Sequence, residues 1–324
     1  IYTKRYMHEE YKIYYYTTTW NEISLPSFES TFAVDSFYVL NNIIFICLKG
    51  RTTDTHKIIK YESGSWSDHG PSFTTNEMSY GTKNFFMDKT DGVFYFHAND
   101  ATLGSTSVFV KLWKLTGGVW SYLGQRTHTT YAHSNYNYGK AINGVPYLIY
   151  QRKAHSSASI MSYIMKFESS FIEVSGSIDY GSAYMIPSVT LFDNGSEVVP
   201  YVAYGHYSDI YQNRGQMIVD GSWENLENIY VGNLRDVTND VQTDGNMVVA
   251  FYNDYPSMFG ARESTIMVRK HDGSGWGSIG TYVHQEIGDY ASYYLLQFKL
   301  NNDIPFVVFR DGYYNKGFTL MKYE

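Results

Sequence analysis

The sequence predicts an all-β fold, a six-bladed β-propeller of four-stranded antiparallel blades, and two repeated landmarks carry this prediction. The first landmark is a tight turn followed by a short apolar strand, as in DGVFYFHA at 91–98 and NGVPYLIY at 143–150. It occurs six times, at intervals of 50, 52, 54, 47 and 58 residues, with copies aligned at Ile44, Phe94, Pro146, Pro200, Met247 and Pro305. A nearly fixed period of this size indicates an array of one supersecondary unit.

The second landmark is an aromatic residue that follows a polar or glycine-rich turn and begins a short edge strand. Its copies are spaced by 46, 54, 51, 52 and 53 residues and are Trp20, Trp66, Trp120, Phe171, Trp223 and Trp276. The two landmarks therefore count six repeats independently.

Composition agrees with one repetitive β domain spanning 1–324. The chain has 33 Tyr and 19 Phe, residue types that suit pleated, half-buried surfaces. A chain of 324 residues would often hold two domains, but all-β folds of this length commonly form one.

Within a repeat, four strands can be placed in order. The first is mildly apolar, as in TFAVDSFYVL at 31–40, and a turn such as Asn143-Gly144 or Asp91-Gly92 leads to the second. The second strand is apolar at consecutive positions, which predicts cover on both faces. An alternating third strand such as HKIIKYE at 56–62 then precedes the aromatic edge strand. Four antiparallel strands per repeat make one propeller blade.

The two ends of the chain are predicted to complete one blade. The last repeat supplies three strands, ending in GFTLMKYE at 317–324, and TTTWNEIS at 17–24 is expected to close it as the fourth strand and protect its edge. The segment YKIYYY at 11–16 also resembles a third strand. We favour the C-terminal segment for that place, with residues 1–14 as an extra N-terminal segment outside or across the ring; a partial seventh blade is the alternative.

Two turns give the chain a family resemblance. DGSGW at 272–276 looks like a degenerate Asp-box, the Ser-x-Asp-x-Gly-x-x-Trp turn, and DGSW at 220–223 is a shorter relative. With the repeat pattern, the whole chain resembles six-bladed propellers of the lectin and sialidase type. The sialidase Arg-Ile-Pro signature is absent near the N-terminus. The resemblance thus implies a fold and no particular activity, since these turns shape the outer hairpins and are not specific to any reaction.

Charge and motif content exclude several function classes. A net charge of −7 without any run of Lys or Arg argues against nucleic acid and anionic membranes as partners. No segment is long and apolar enough to insert into a membrane. We expect no metal and no cofactor, because Cys/His ligand spacing, a P-loop and a dinucleotide fingerprint are all missing. The single Cys47 is predicted to be a small buried hydrophobe, and one glycosylation sequon, Asn194-Gly195-Ser196, falls in a predicted turn.

Candidate binding residues fall in the predicted loops that follow the second strands. These loops hold five of the nine arginines together with many tyrosines. Tyrosine rings can lie against the apolar face of a sugar while Arg and Asp bond its hydroxyls. The predicted ligand-binding residues are Tyr207, Tyr211, Arg214, Asp254, Tyr255, Arg262, Arg310 and Tyr313.

These observations predict a non-catalytic, lectin-like adhesion module that binds cell-surface carbohydrate, either a glycan or a glycoprotein surface, in an extracellular or virion-surface location. One alternative is a docking component of a secreted or virion assembly, such as a phage tail appendage, with protein partners. Another is a glycan hydrolase or lyase of sialidase-like architecture, for which Asp100, Asp209, Asp254 and Asp311 are candidate carboxylates. No catalytic residue is assigned.

Overall fold

We describe a computed structural model of the chain. The described residues are 2–5, 11–16, 20–24, 26, 32–50, 53–74, 83–101, 108–128, 138–153, 160–174, 176, 178–179, 188–206, 212–219, 222–231, 234–256, 262–280, 283–287, 296–310 and 318–322. They contain strands and turns and no helix. The chain divides into two compact units, the first formed by Ile1–Ser156 and Ile164–Glu173 and the second by Ser157–Tyr163 and Val174–Glu324.

Four antiparallel sheets occupy the first part of the chain. The N-terminal sheet has the order β1-β2-β3, formed by β1 (Tyr2–Arg5), β2 (Tyr11–Tyr16) and β3 (Trp20–Ile23). Sheet 1 consists of β4 (Phe32–Leu40), β5 (Ile43–Gly50), β6 (Thr55–Glu62), β7 (Ser65–Asp68) and β8 (Phe73–Thr74). Sheet 2 consists of β9 (Lys83–Met87), β10 (Phe94–Ala101), β11 (Val108–Thr116) and β12 (Val119–His128). Sheet 3 consists of β13 (Tyr138–Ile142), β14 (Val145–Lys153), β15 (Ile160–Phe167), β16 (Phe171–Glu173) and β17 (Ile178–Asp179).

Three more antiparallel sheets follow. Sheet 4 consists of β18 (Ser188–Asp193), β19 (Val198–His206), β20 (Gln212–Val219) and β21 (Ser222–Val231). Sheet 5 consists of β22 (Leu234–Val241), β23 (Met247–Pro256), β24 (Arg262–His271), β25 (Trp276–Ser278) and β26 (Val283–Ile287). Sheet 6 consists of β27 (Leu296–Asn301), β28 (Ile304–Arg310) and β29 (Phe318–Lys322).

The strand order predicted for each repeat is confirmed. Sheets 1 to 5 each run first-second-third-fourth in sequence order, as in β9-β10-β11-β12, and sheet 6 holds the first three. In sheets 1, 3 and 5 the fourth strand is split into two pieces that both pair with the third strand. The Asn143-Gly144 turn adopts φ values of 53° and 76°, the left-handed pair that the hairpin prediction requires.

Second strands form the core because both of their faces are covered. In sheet 5, Val249 and Phe251 pack with residues of sheet 4, while Val248 and Ala250 pack with Phe298 and Val307 of sheet 6. In sheet 1, Phe45 and the fully buried Cys47 pack against sheet 2. The consecutive apolar positions of these strands therefore serve two adjacent sheets, as the sequence predicted, and Cys47 is confirmed as buried.

The N-terminal strand is placed differently from the prediction. Trp20–Ile23 was expected to complete the last blade, but it pairs with Tyr11–Tyr16 in the N-terminal sheet, and Ile23 packs on Ile44, Ile46 and Leu48 of sheet 1. Segments 11–16 and 318–322, which both resemble third strands in the sequence, therefore lie in two different sheets. Closure of the last blade by the N-terminus and a count of six are not confirmed.

Candidate functional site

Five of the eight predicted ligand-binding residues lie on strands, near the end of each sheet where the second strand joins the third. We call this the hairpin end, and the opposite end, with the tight turn between first and second strands, the turn end. In sheet 5, Asp254, Tyr255 and Arg262 belong to the last three rungs of the β23–β24 hairpin. Pairing extends to Pro256, so these residues are not in the loop that the sequence predicted.

The neighbouring sheets place two more of the predicted residues at the same end. Arg214 lies on β20 in register with Tyr204 of β19, and Arg310 occupies the last rung of the β28–β29 pair, opposite Phe318. All five residues belong to sheets 4 to 6 of the second unit. Tyr207, Tyr211 and Tyr313 lie outside the described residues.

At the turn end of the first unit, adjacent sheets are joined through the fully buried side chain of Asp88. Its carboxylate accepts hydrogen bonds from the backbone N–H of Thr90 at 2.8 Å and from that of Gly144, in the next sheet, at 2.6 Å. The Tyr95 hydroxyl donates to the carbonyl oxygen of Gly144 at 2.9 Å. This turn is therefore held by its neighbour on both its amide and its carbonyl side.

The second unit repeats this arrangement with other residues. The backbone N–H of Thr243 donates to Asp303 Oδ1 at 2.8 Å, and the Gln242 amide donates to the backbone carbonyl of Asp303 at 3.1 Å. Asp240 of β22 accepts from Thr190 of sheet 4 at 3.2 Å and from the backbone N–H of Leu300 in sheet 6 at 3.2 Å. The polar groups at the turn ends thus bond neighbouring sheets to each other.

The structure also brings together three residues that no pattern in the sequence connects. Arg126 Nη2 of β12 lies 3.3 Å from Glu173 Oε2 of β16, and the hydroxyl of the buried Tyr150 lies 3.5 Å from the same oxygen. The Arg126 and Glu173 side chains are 29% and 30% exposed, so solvent screens the pair. The ion pair and the hydrogen bond of these three side chains connect sheets 2 and 3.

A β-bulge positions Arg126 for this contact. The register of β11 with β12 shifts between Leu112 and Trp113, which pair with Gly124 and Tyr122. One extra residue in β12 reverses the alternation of its side chains, so Gly124 and Arg126 face sheet 3 while Tyr122 contacts Trp113. The repeat pattern in the sequence contains no signal for such a bulge.

Several titratable groups are buried between sheets. Burial lowers the pKa of His97 from 6.5 to about 4, and both ring nitrogens of this 1% exposed side chain lack a hydrogen-bond partner within the described part of the chain. Burial likewise raises the pKa of Asp35, whose carboxylate accepts from the backbone N–H of Phe85 at 3.2 Å. Burial also raises the pKa of the Cys47 thiol well above its usual value. These three groups lie within the packed sheets of the first unit, whereas the five described binding residues belong to the second.

The residues described above contain no group of three or more His, Cys, Asp or Glu side chains that could hold a metal ion. The same residues contain no helix that is long and apolar enough to cross a membrane.

No family model and no curated protein matches this sequence. Solved structures show a likeness of fold. A protein of unknown function from Dyadobacter fermentans has a TM-score of 0.50 and 12% identity, over 90% of this chain and 94% of its own. The Hadza microbial sialidase Hz136 has a TM-score of 0.50 and 11% identity, over 90% of this chain and 66% of its own. The GH93 α-L-arabinofuranosidase of Fusarium graminearum, in complex with arabinobiose, has a TM-score of 0.49 and 12% identity, over 92% of this chain and 95% of its own. The chain is thus similar in fold to β-propeller proteins.

Proposed function

We propose that this protein recognises carbohydrate through the hairpin ends of sheets 4 to 6. The observation that carries the proposal is the strand register of three consecutive sheets. Their hairpin ends hold five residues of the types that bind sugars: Arg214, Asp254, Tyr255, Arg262 and Arg310.

The residue types at the hairpin ends suit sugars. Tyrosine offers a flat apolar ring with a polar tip, and guanidinium and carboxylate groups make oriented hydrogen bonds to hydroxyls. The similar fold of a protein named as a sialidase agrees with a carbohydrate-related role. At 11% identity this likeness concerns the fold, so the proposal rests on the residues at the hairpin ends. An extracellular or virion-surface location belongs to the same proposal.

The proposed architecture is a propeller in which the six repeats form blades. Its N-terminal sheet would belong to a partial seventh blade, because β1, β2 and β3 run in the order of second, third and aromatic fourth strand.

Two alternatives use the same hairpin ends. A docking component of a secreted or virion assembly would present them to a protein partner. A glycan hydrolase or lyase would need two carboxylates at a controlled separation, and Asp254 would be one of them. The loops after the second strands differ in length between repeats, which favours one composite site over equal sites in every repeat.

The test is a glycan-array screen of the labelled protein, followed by mass analysis of each bound glycan after long incubation. Tyr255→Ala and Arg262→Ala should each weaken binding at least tenfold. Tyr122→Ala is the matched control, because Tyr122 is 51% exposed on the outer strand β12, and this variant should bind as the wild type does.

Each outcome of the screen has one meaning. Binding that leaves the glycan intact and is weakened in both hairpin-end variants supports the proposal, and shortened glycans move the assignment to the hydrolase or lyase alternative. Binding that is unchanged in both variants, or no binding to any glycan, rejects the hairpin ends of sheets 4 to 6 as a carbohydrate site. If the protein binds no glycan at all, the docking alternative with a protein partner is favoured.

A further inference from the structure

One exposed turn contains a sequence motif that carbohydrate recognition does not explain. The turn between β18 and β19 reads Asp193-Asn194-Gly195-Ser196-Glu197, and all five residues are exposed. Asn194-Gly195-Ser196 is the single Asn-x-Ser/Thr sequence of the chain. We infer that Asn194 is an acceptor site for N-linked glycan.

The first structural support is the hydrogen bonding of the Asn194 side chain. Its Oδ1 accepts from the Ser196 hydroxyl at 2.8 Å, from the Ser196 backbone N–H at 2.9 Å and from the Glu197 N–H at 2.9 Å. Three donors on the carbonyl oxygen draw electron density from the amide and make its Nδ2–H more acidic. The Ser196 hydroxyl thus supplies one of the three hydrogen bonds that polarise the Asn194 amide.

The reaction is a group transfer with a defined balance. Nδ2 of Asn194 forms a bond to the anomeric carbon of a lipid-diphosphate-linked oligosaccharide, and the bond from that carbon to the diphosphate oxygen breaks. Lipid diphosphate leaves, and a base of the transferase takes the amide proton. Easier proton loss from Nδ2 helps this step, and the exposed turn leaves room for the glycan in the folded protein.

The second structural support concerns the reaction that competes at Asn-Gly sequences. There, the glycine nitrogen can attack the asparagine side-chain carbonyl and release ammonia. In this turn the Gly195 N–H instead donates to Asp193 Oδ1 at 2.8 Å. Attack on Asn194 would therefore first have to break the bond between the Gly195 N–H and Asp193.

The position of the site is compatible with carbohydrate recognition but does not depend on it. The turn lies at the turn end of sheet 4, whereas Arg214 of the same sheet lies at its hairpin end. A glycan on Asn194 is therefore attached at the opposite end of this sheet from Arg214.

The experiment is cell-free translation of the full chain behind a secretion leader, with microsomal membranes present. The wild type should gain a mobility shift that an endoglycosidase removes. Asn194→Gln and Ser196→Ala should abolish the shift, while Ser196→Thr should keep it. Asn143→Gln is the matched control, because Asn143-Gly144 is a similar turn followed by Val145 and should leave the shift unchanged.

Two results would overturn the inference: a wild-type chain without the shift, or a shift that survives Asn194→Gln. Because glycan addition is read on the translated chain, a variant that folds poorly still gives an answer. Failure here would leave the glycan-array result untouched, so the two ideas fail separately.

Discussion

The indole Nε1–H of Trp223 donates a hydrogen bond to the backbone carbonyl oxygen of Gly176, 2.9 Å away and 47 residues earlier. Three other aromatic landmarks make the same bond to the preceding sheet: Trp66 to Ser24, Trp120 to Pro71 and Trp276 to Leu226. Every acceptor lies three to five residues after the landmark of the previous repeat. The edge-strand tryptophan therefore joins consecutive sheets, in addition to shaping its own turn.

Replacement of Trp223 by Phe should remove this bond while it keeps most of the apolar contact. We expect the free energy of unfolding to fall by about 1 kcal/mol, the usual net value of one such hydrogen bond. Urea unfolding measures the change. The third repeat already has Phe171 at this position, so the fold should persist. An unchanged midpoint would show that the indole N–H contributes nothing to stability.

Asp88→Ala should be far more destabilising. The carboxylate is 0% exposed and serves the backbone N–H groups of Thr90 and Gly144, which would both lose their partner inside the protein. Buried donors without a partner are costly, and we expect a loss of roughly 3 kcal/mol by urea unfolding. The matched control is Asp91→Ala, because Asp91 lies three residues later in the same turn but is exposed, and its Oδ1 accepts a single bond, from the Val93 N–H at 2.9 Å. Equal losses in the two variants would contradict a special role for Asp88.

The sequence predicted strand types more reliably than strand partners. Its landmarks locate the second and fourth strands of each repeat, since turn chemistry and apolar runs are local properties. They assigned Trp20–Ile23 to the blade that ends in 318–322, but this strand pairs with 11–16, which has the same third-strand pattern. The Arg126–Glu173 contact was equally hidden, since it joins residues 47 apart and depends on a bulge in β12. Hairpin length was underestimated in sheet 5, where Asp254, Tyr255 and Arg262, which suggested a loop, continue the strand pairing.

A close backbone approach at Gly139 gives a third prediction. A Cβ added there would lie 2.2 Å from the ring of Phe86 in sheet 2, and that ring is itself stacked on Tyr95. Gly139→Ala should therefore force the buried ring to move and cost about 1–3 kcal/mol, as overpacking usually does. Gly277→Ala, with nothing within 4 Å, is the control and should be almost neutral. Thermal unfolding of both variants decides the matter, and a neutral Gly139→Ala would mean that the two sheets can separate at little cost.

The buried His97 should make the protein sensitive to acid. Its ring lies 6.1 Å from that of Phe86, and burial lowers its pKa from 6.5 to about 4. Between pH 6.5 and about pH 4, the unfolded chain therefore binds a proton at this side chain and the folded chain does not. The free energy of unfolding consequently falls as the pH drops from 6.5 towards 4. The full loss from this group is roughly 3 kcal/mol, from about 1.4 kcal/mol for each pKa unit.

The check for His97 is the pH dependence of urea unfolding from pH 7 to pH 4 in the wild type and two variants. His97→Leu cannot titrate and should lose less stability over this range, because the remaining acid-sensitive groups are common to both proteins. His97→Gln retains polar atoms in an apolar setting, so it should be less stable than His97→Leu at every pH yet show the same shallow pH dependence. If both variants follow the wild-type slope, His97 already accepts a proton in the folded protein and an unseen partner must compensate its charge.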